Sequence, residues 1–267
     1  METTVSRFRY KGKIYRVETP LRRQNVGRLL QRWLCDDIAI RVSAIDLCGP
    51  SRGERMIKRV DGYTIKESEN AEAEFRTTLR AEEITDLTPM AGGLLLEEGS
   101  KHGFVSVQFF DGIPVVNINT STLQRRDKEN ITKAVLFSMG RLHIGDRKNS
   151  ILHRDAHLGN FIIIPNPDDN ELLTRTTKRA EIRIVDLEKA LIAQFNKKLL
   201  EPMAYDLLRA INQLIWDGFL QKDEVLNFLD SYLDGNTRFD RKEVVSMLKE
   251  SIPKHPKLKA VQELKML

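Results

Sequence analysis

Long apolar runs are missing from this sequence of 267 residues, and cysteine is scarce. The longest apolar stretches, such as 104–110 and 161–165, are far too short to cross a bilayer, and the polar start METTVSRFRY has no signal-peptide core. We therefore expect a cytoplasmic protein. Cys35 and Cys48 are the only cysteines and stand in no metal-ligand spacing, so we expect both to be reduced and structural.

What the sequence does have is an ordinary globular composition with a surplus of positive charge. Hydrophobic residues make up 41% and charged residues 30%, which is typical of a chain that buries its own core. The formal net charge of +5 and the pI near 9.1 favour anionic partners. Nucleotides, phosphorylated glycans, acidic lipid surfaces and nucleic acid all qualify, so charge alone does not identify the partner.

The texture of the sequence changes near residue 120. Before this point, short strand-like segments are separated by Gly, Pro and Asp, and one helix, at about 70–83, interrupts them. The strand-like segments are 39–46, 55–60, 63–66 and 103–110. After this point, apolar residues recur at helical spacing over 131–142, 207–215 and 225–233. The pattern predicts an α+β protein of two lobes, a β-rich lobe over 1–112 and a mostly helical lobe over 113–267.

A specific motif lies between the first two of the later helices. The segment ILHRDAHLGN, residues 151–160, contains H-R-D-x-x-x-x-N, the signature of the catalytic loop of kinases. Phosphoryl transfer needs a group that accepts or orients the proton of the nucleophile, and it needs oxygen ligands that hold a divalent metal on the phosphates. We assign Asp155 to the first task and Asn160 to the second.

The second half of this signature follows at the end of a strand. Residues 161–164 and 182–185 are apolar and are separated by a polar segment, which predicts a β-hairpin with a long tip. Asp186 comes directly afterwards, where a second oxygen ligand for the metal is required. Because D-L-E stands in place of D-F-G, the missing glycine favours a fixed metal site over a flexible activation loop. We therefore expect ATP and Mg²⁺ as the bound species.

These residues resemble one family in particular, the bacterial lipopolysaccharide core kinases for heptose and Kdo, within the protein-kinase-like superfamily. H-R-D, Phe161 after Asn160, and Val185-Asp186-Leu187 with the basic Lys189 are similar to that family's pattern, over about residues 70–233. The resemblance implies that the γ-phosphate of ATP moves to a hydroxyl of a sugar in the lipopolysaccharide inner core. Residues 22–33 are basic with apolar positions at helical spacing, which is compatible with peripheral contact with the inner membrane, although a helix packed on the first lobe with a solvated basic face is the preferred interpretation. No nucleic acid is expected.

The resemblance assigns two charged residues to the first lobe. Lys66, in GYTIK, is similar to the strand lysine that holds the α- and β-phosphates in kinases, with Lys58 as the alternative. Glu74 matches the glutamate that holds this lysine. The alternatives on the same helix are Glu72 and Glu82.

Four further positions receive expected roles from the comparison with kinases. Gly49 and Gly53 lie between two strands, where the glycine loop over the phosphates belongs, although a plain turn is the alternative reading. Phe110 ends a strand at the expected hinge between the lobes, where backbone groups would meet adenine. Asp206 resembles the helix aspartate that steadies the catalytic loop.

Three other functions stay open on the sequence alone. The first is a protein Ser/Thr kinase of effector or phage type, which the lack of an A-P-E segment after Asp186 disfavours. The second is a small-molecule kinase, because D-x-H-x-G-N at 155–160 also occurs in aminoglycoside kinases. The third is an inactive binding module, which the intact set of three oxygen-bearing residues disfavours. The sequence does not identify the acceptor.

Overall fold

The structure is a computed structural model that describes residues 1–35, 57–60, 62–146, 148–164 and 181–264. The chain divides into two compact units. The first comprises Met1–Phe110 with Asp186–Glu188, and the second comprises Asp111–Val185 with Lys189–Leu267. The short segment that begins at Asp186 therefore belongs to the first unit, although the residues on both sides of it belong to the second.

The first unit is built on an antiparallel sheet, six-stranded in the described residues. Its strands are β1 (Thr3–Tyr10), β2 (Lys13–Pro20), β3 (Ile57–Val60), β4 (Tyr63–Ser68), β5 (Ala91–Glu97) and β6 (Gly103–Gln108). The strand order is β1-β2-β5-β6-β4-β3. Lys66 on β4 is paired with Val105 on one side and Ile57 on the other, so it lies inside the sheet rather than at its edge.

Helices α1 (Gln24–Cys35) and α2 (Ala71–Ile84) cover opposite faces of this sheet. Leu30 of α1 packs in a buried cluster with Leu95, whereas Phe75 of α2 packs with Leu94. Because successive side chains on a strand point to opposite faces, these two neighbouring leucines place the two helices on different sides. Two buried layers result, one between the sheet and α1 and one between the sheet and α2.

The second unit is mostly helical. Its helices are α3 (Arg125–Ile144), α4 (Leu200–Trp216), α5 (Val225–Gly235), α6 (Arg241–Ser251) and α7 (Lys259–Gln262). Its short strands are β7 (Ile113–Pro114), β8 (Asn149–Leu152), β9 (Phe161–Ile164), β10 (Glu181–Ile184) and β11 (Leu191–Gln194). β9 and β10 form the predicted hairpin, with Phe161 opposite Ile184, and β8 pairs with β11.

A close contact between α3 and α5 organises the core of the second unit. A Cβ atom on Gly140 would collide with the carbonyl oxygen of Tyr232, and a Cβ atom on Gly235 would collide with that of Phe137. The two backbones can approach this closely because both positions are glycine. This contact fixes α3, which leads into β8 and the loop beyond it. No helix in the described ranges is long and apolar enough to span a membrane.

Candidate active site

The H-R-D-x-x-x-x-N motif forms the connection between β8 and β9, and α4 holds it in place. Arg154 has φ of 61°, a left-handed conformation that a residue with a side chain rarely adopts. The fully buried carboxylate of Asp206 on α4 accepts hydrogen bonds from the backbone N–H groups of His153, at 2.7 Å, and Arg154, at 2.8 Å. Asp206 therefore stabilises the strained backbone directly before Asp155.

The carboxylate of Asp155 lies between two cations. Its Oδ2 accepts a hydrogen bond from Lys189 Nζ at 2.7 Å, and its Oδ1 forms an ion pair with the guanidinium of Arg209. The side chain is 13% exposed. Burial raises the pKa of Asp155, but the adjacent Lys189 and Arg209 outweigh it and hold this pKa below its ordinary value. Asp155 is therefore ionised at neutral pH.

Asn160 is fixed at the other end of the same loop. Its Nδ2 donates to the backbone oxygen of Asp155 at 3.0 Å, and its side chain is buried within the second unit. Because this hydrogen bond uses the NH₂ group, the amide oxygen is the part of Asn160 that can bind a cation. His157 serves the loop itself, since its Nδ1 accepts from the N–H of Gly159 at 3.1 Å.

The backbone of Val185, which follows β10, forms hydrogen bonds with both ends of the H-R-D-x-x-x-x-N loop. Its N–H donates to the carbonyl oxygen of Asn160 at 2.9 Å, and its own carbonyl accepts from Nε2 of His153 at 2.8 Å. Asp186 follows with φ of 62°, and Leu187–Lys189 then form a single 3₁₀ turn anchored by buried Leu187. The turn after Asp186 thus forms without the glycine of D-F-G.

In the first unit, the ammonium of Lys66 lies between two carboxylates. Its Nζ donates to Asp186 Oδ1 at 2.6 Å and forms an ion pair with Glu74 of α2. Ile65 is buried with α1, so the alternation along β4 directs Lys66 to the side covered by α2. The side chain of Glu74 is 1% exposed, that of Lys66 13% and that of Asp186 35%.

The pKa shifts in this group follow from burial and charge. Burial lowers the pKa of Lys66, but the carboxylates of Glu74 and Asp186 outweigh it, so this pKa stands above its ordinary value and Lys66 is protonated. Burial raises the pKa of Glu74, and the ammonium of Lys66 limits the rise. A buried carboxylate of this kind depends on its cation, because an unpaired charge is very costly in the interior.

The structure brings the predicted residues together in two groups, Lys66, Glu74 and Asp186 in the first unit, and Asp155 and Asn160 in the second. Among the glutamates considered for Lys66, Glu74 makes the contact. Glu72 pairs with Arg16, and Glu82 pairs with Arg23.

Of the other predicted positions, the structure describes Lys58 and Phe110. Lys58 lies on β3 opposite Ile65. Phe110 is the last residue before the second unit, two positions beyond β6, and is partly buried. Gly49 and Gly53 lie outside the described residues, so the glycine loop stays a prediction.

Sequence reasoning missed the role of two residues in this site. Lys189 was noted only as a basic position in the family pattern, and Arg209 was not singled out. They are 34 and 54 positions from Asp155 along the chain. A weak signal existed for Arg209, since it lies one turn beyond Tyr205 and three positions after Asp206 on α4.

Together these elements define a protein-kinase-like fold, with a β-sheet unit that carries the paired lysine and a helical unit that carries the H-R-D loop. Among solved structures, WaaP in complex with acyl carrier protein matches this chain with a TM-score of 0.52 and 19% sequence identity. The match covers 78% of this chain and 88% of that chain. At this level of identity the match shows the fold alone, and the resemblance noted in the sequence is confirmed at the level of the fold.

Other comparisons add less. The pseudokinase domain of BIR2, an immune regulator of the RLK/Pelle family, matches with a TM-score of 0.44 and 14% identity over 99% of this chain and 90% of that domain. No family model and no curated protein matches the sequence.

Proposed function

We propose that this protein is an ATP-dependent kinase that moves the γ-phosphate to a hydroxyl group of a sugar in the lipopolysaccharide inner core. The observation that carries the proposal is the group of Lys66, Glu74 and Asp186. Burying the charges of Lys66 and Glu74 costs free energy that a purely structural domain avoids by placing apolar side chains there. A lysine held between two carboxylates is instead what phosphate and metal binding require.

Each residue of the first group then has a task. Lys66 contacts the α- and β-phosphates of ATP, and Glu74 holds its side chain extended. Asp186 contributes a carboxylate oxygen to magnesium. Asn160, in the second unit, contributes its amide oxygen.

The chemistry of these donors fits the metal. Magnesium is usually held by one or two carboxylates together with phosphate oxygens, and both proposed ligands offer hard oxygen donors. When bound, magnesium supplies positive charge to the β- and γ-phosphate oxygens.

Asp155 acts on the acceptor. Its ionised carboxylate accepts a hydrogen bond from the acceptor hydroxyl and orients the oxygen towards the γ-phosphorus. The new O–P bond forms as the bond from phosphorus to the bridging oxygen breaks, and ADP leaves with that electron pair. The hydroxyl proton passes to Asp155 and then to water. Because the lowered pKa makes Asp155 a weak base, its contribution is mainly orientation, as a dissociative transfer allows.

The acceptor is tested by offering radiolabelled ATP and magnesium, in parallel, to core glycolipid that lacks phosphate, to generic protein substrates and to a panel of small alcohols. The matched control is the Asp155→Asn variant. We expect label in the glycolipid. Label in protein or in a small alcohol instead would show that the proposed acceptor is wrong and that the protein is nevertheless a kinase. No label above the control in any arm would reject the kinase.

We further propose that the N-terminal part of the chain contacts the anionic surface of the inner membrane. Residues 1–35 contain nine Lys and Arg and two Glu, a net charge of +7 against +5 for the whole chain. On α1, Arg28 and Arg32 are exposed one turn apart, and Leu21 just before the helix is 44% exposed. Exposed cations and an exposed apolar side chain on one short segment suit an anionic lipid surface.

Sedimentation with vesicles tests this contact. Binding to vesicles with anionic lipid, and its loss in the Arg28→Gln/Arg32→Gln variant, supports it. Equal sedimentation with neutral and anionic vesicles contradicts it and leaves a protein partner, such as the acyl carrier protein found with WaaP, as the alternative.

A further inference from the structure

We propose that Lys189 is a further catalytic residue, whose ammonium binds the phosphoryl group during its transfer. The inference rests on the proposed kinase function. It starts from the pairing of Asp155 with two cations, Lys189 Nζ at 2.7 Å and the guanidinium of Arg209. One carboxylate between two cations leaves an excess of one positive charge beside the group that orients the acceptor. Such an excess attracts an anion.

The two cations are anchored differently. Arg209 projects from α4, is 29% exposed, and also donates from Nη1 to the hydroxyl of Tyr205 at 3.3 Å. Lys189 ends the 3₁₀ turn after Asp186, and its side chain is 63% exposed. Arg209 is therefore the positioning residue that keeps Asp155 in place. Lys189 has the freedom to exchange its carboxylate partner for an incoming anion.

Distances place this anion within reach. A hydroxyl oriented by Asp155 lies within hydrogen-bond distance of it, roughly 2.6–3.2 Å, and the attacked phosphorus lies about 3–3.5 Å beyond that oxygen. Lys189 Nζ already contacts the same carboxylate, so a change of side-chain torsions brings it to the equatorial oxygens of the transferring group. Negative charge is spread over these oxygens in the transition state, and an ammonium group that reaches them stabilises it.

The alternative is that Lys189 only forms a surface ion pair with Asp155. Exposed ion pairs contribute little, so this reading predicts almost no loss of rate when Lys189 is replaced. Lys189, Arg209 and His157 all act on the charge of Asp155 and favour its ionised form. Removal of Lys189 therefore shifts the acidic limb of the pH–rate profile to higher pH whether Lys189 binds the phosphoryl group or only pairs with Asp155. The size of the change in kcat distinguishes the two roles.

Kinetic measurements separate the two readings. We expect Lys189→Met to lower kcat by about 10²-fold or more, as removal of a transition-state donor does, while KM for ATP changes little. Lys189→Arg should retain most of the rate because it keeps the charge. The matched control is Lys197→Met, an exposed lysine on the turn Lys197–Leu199. A wild-type kcat in Lys189→Met would overturn the inference.

A binding experiment gives the same decision without turnover. The affinity of the protein for Mg²⁺ and ADP is measured by titration with and without aluminium fluoride, which mimics the phosphoryl group in transfer. We expect Lys189→Met to bind the fluoride complex on the order of 10-fold or more weakly and Mg·ADP as the wild type does. Equal affinity for the fluoride complex overturns the role of Lys189 alone. A wild type that binds no Mg·ADP overturns the kinase proposal and this inference together.

Discussion

The two groups of charged side chains described above, one in each unit, have opposite net charges. In the first unit one cation, Lys66, is shared by the carboxylates of Glu74 and Asp186. In the second unit one carboxylate, Asp155, is shared by Lys189 and Arg209. In the first group the most exposed side chain is Asp186, at 35%, whereas in the second it is Lys189, at 63%.

This difference indicates what each group can bind. A net negative charge held on a rigid sheet and helix suits a divalent cation. A net positive charge with one exposed side chain suits an anion that binds from solution and is released again. Reversing either balance should therefore affect one function and spare the other.

The largest expected effect comes from removing the shared carboxylate of the second group. Asp155→Ala should lower kcat by about 10²–10⁴-fold, because the acceptor hydroxyl loses the carboxylate that orients it and accepts its proton. Affinity for Mg·ATP, measured by calorimetry, should stay near the wild-type value. Retention of more than half the wild-type rate would remove Asp155 from its proposed role.

Removing the shared cation of the first group should make the protein less stable to unfolding. Lys66→Met leaves buried Glu74 without its partner, which costs about 3–5 kcal/mol in the free energy of unfolding, measured with urea. The Lys66→Met/Glu74→Gln variant should recover part of this loss, although it should not recover ATP use. If Lys58→Met damages ATP use more than Lys66→Met does, the assignment of the phosphate-binding lysine is wrong.

A smaller effect should follow at the support of the catalytic loop. Asp206→Asn weakens charged hydrogen bonds to the backbone of His153 and Arg154, each worth about 1.5–3 kcal/mol. We expect reduced stability together with a lower kcat, since Arg154 then leaves its left-handed conformation more readily. Unchanged kcat with reduced stability would show that the strained loop is not needed for activity.

The smallest effect concerns pH. Because the folded-state pKa of Asp155 is lowered, its ion pairs stabilise the protein fully above the unfolded-state pKa, about 3.9, and this stability is lost as the pH falls through the folded-state value. Urea unfolding below pH 5 should therefore show a smaller acid-induced loss of stability in Asp155→Asn than in the wild type. Equal losses in both proteins would mean that Asp155 is not paired in solution.

Local signals in the sequence were sufficient for much of the second unit. The apolar stripe over 131–142 predicted α3, observed as Arg125–Ile144, and the apolar pair 161–164 and 182–185 predicted the β9–β10 hairpin. The apolar residues of α3 recur at helical spacing, and those of β9 form a short continuous apolar run, so both elements are visible in the sequence. The H-R-D-x-x-x-x-N motif stood out because its spacing is specific.

Three strands of the first unit were not predicted, and their packing explains why. β5 lies inside the sheet with α1 and α2 on its two faces, so AGGLLLE shows no alternation, and an irregularity between Ala91 and Gly93 breaks the register. β1 and β2 carry many charged residues, and Val5 is 53% exposed, so their apolar period is weak. The cations around Asp155 were missed because only the folded chain brings them together.

The comparison between the two groups is tested most directly by magnesium-dependent thermal stabilisation. Mg·ATP at about 100 times its dissociation constant adds about 2.7 kcal/mol, which for a chain of this size raises Tm by roughly 5–10 °C. We expect this shift in the wild type and in Asp155→Asn, each measured against its own ligand-free protein, and little shift in Asp186→Ala. A full magnesium-dependent shift in Asp186→Ala would contradict the assignment of the negatively charged group to metal and nucleotide.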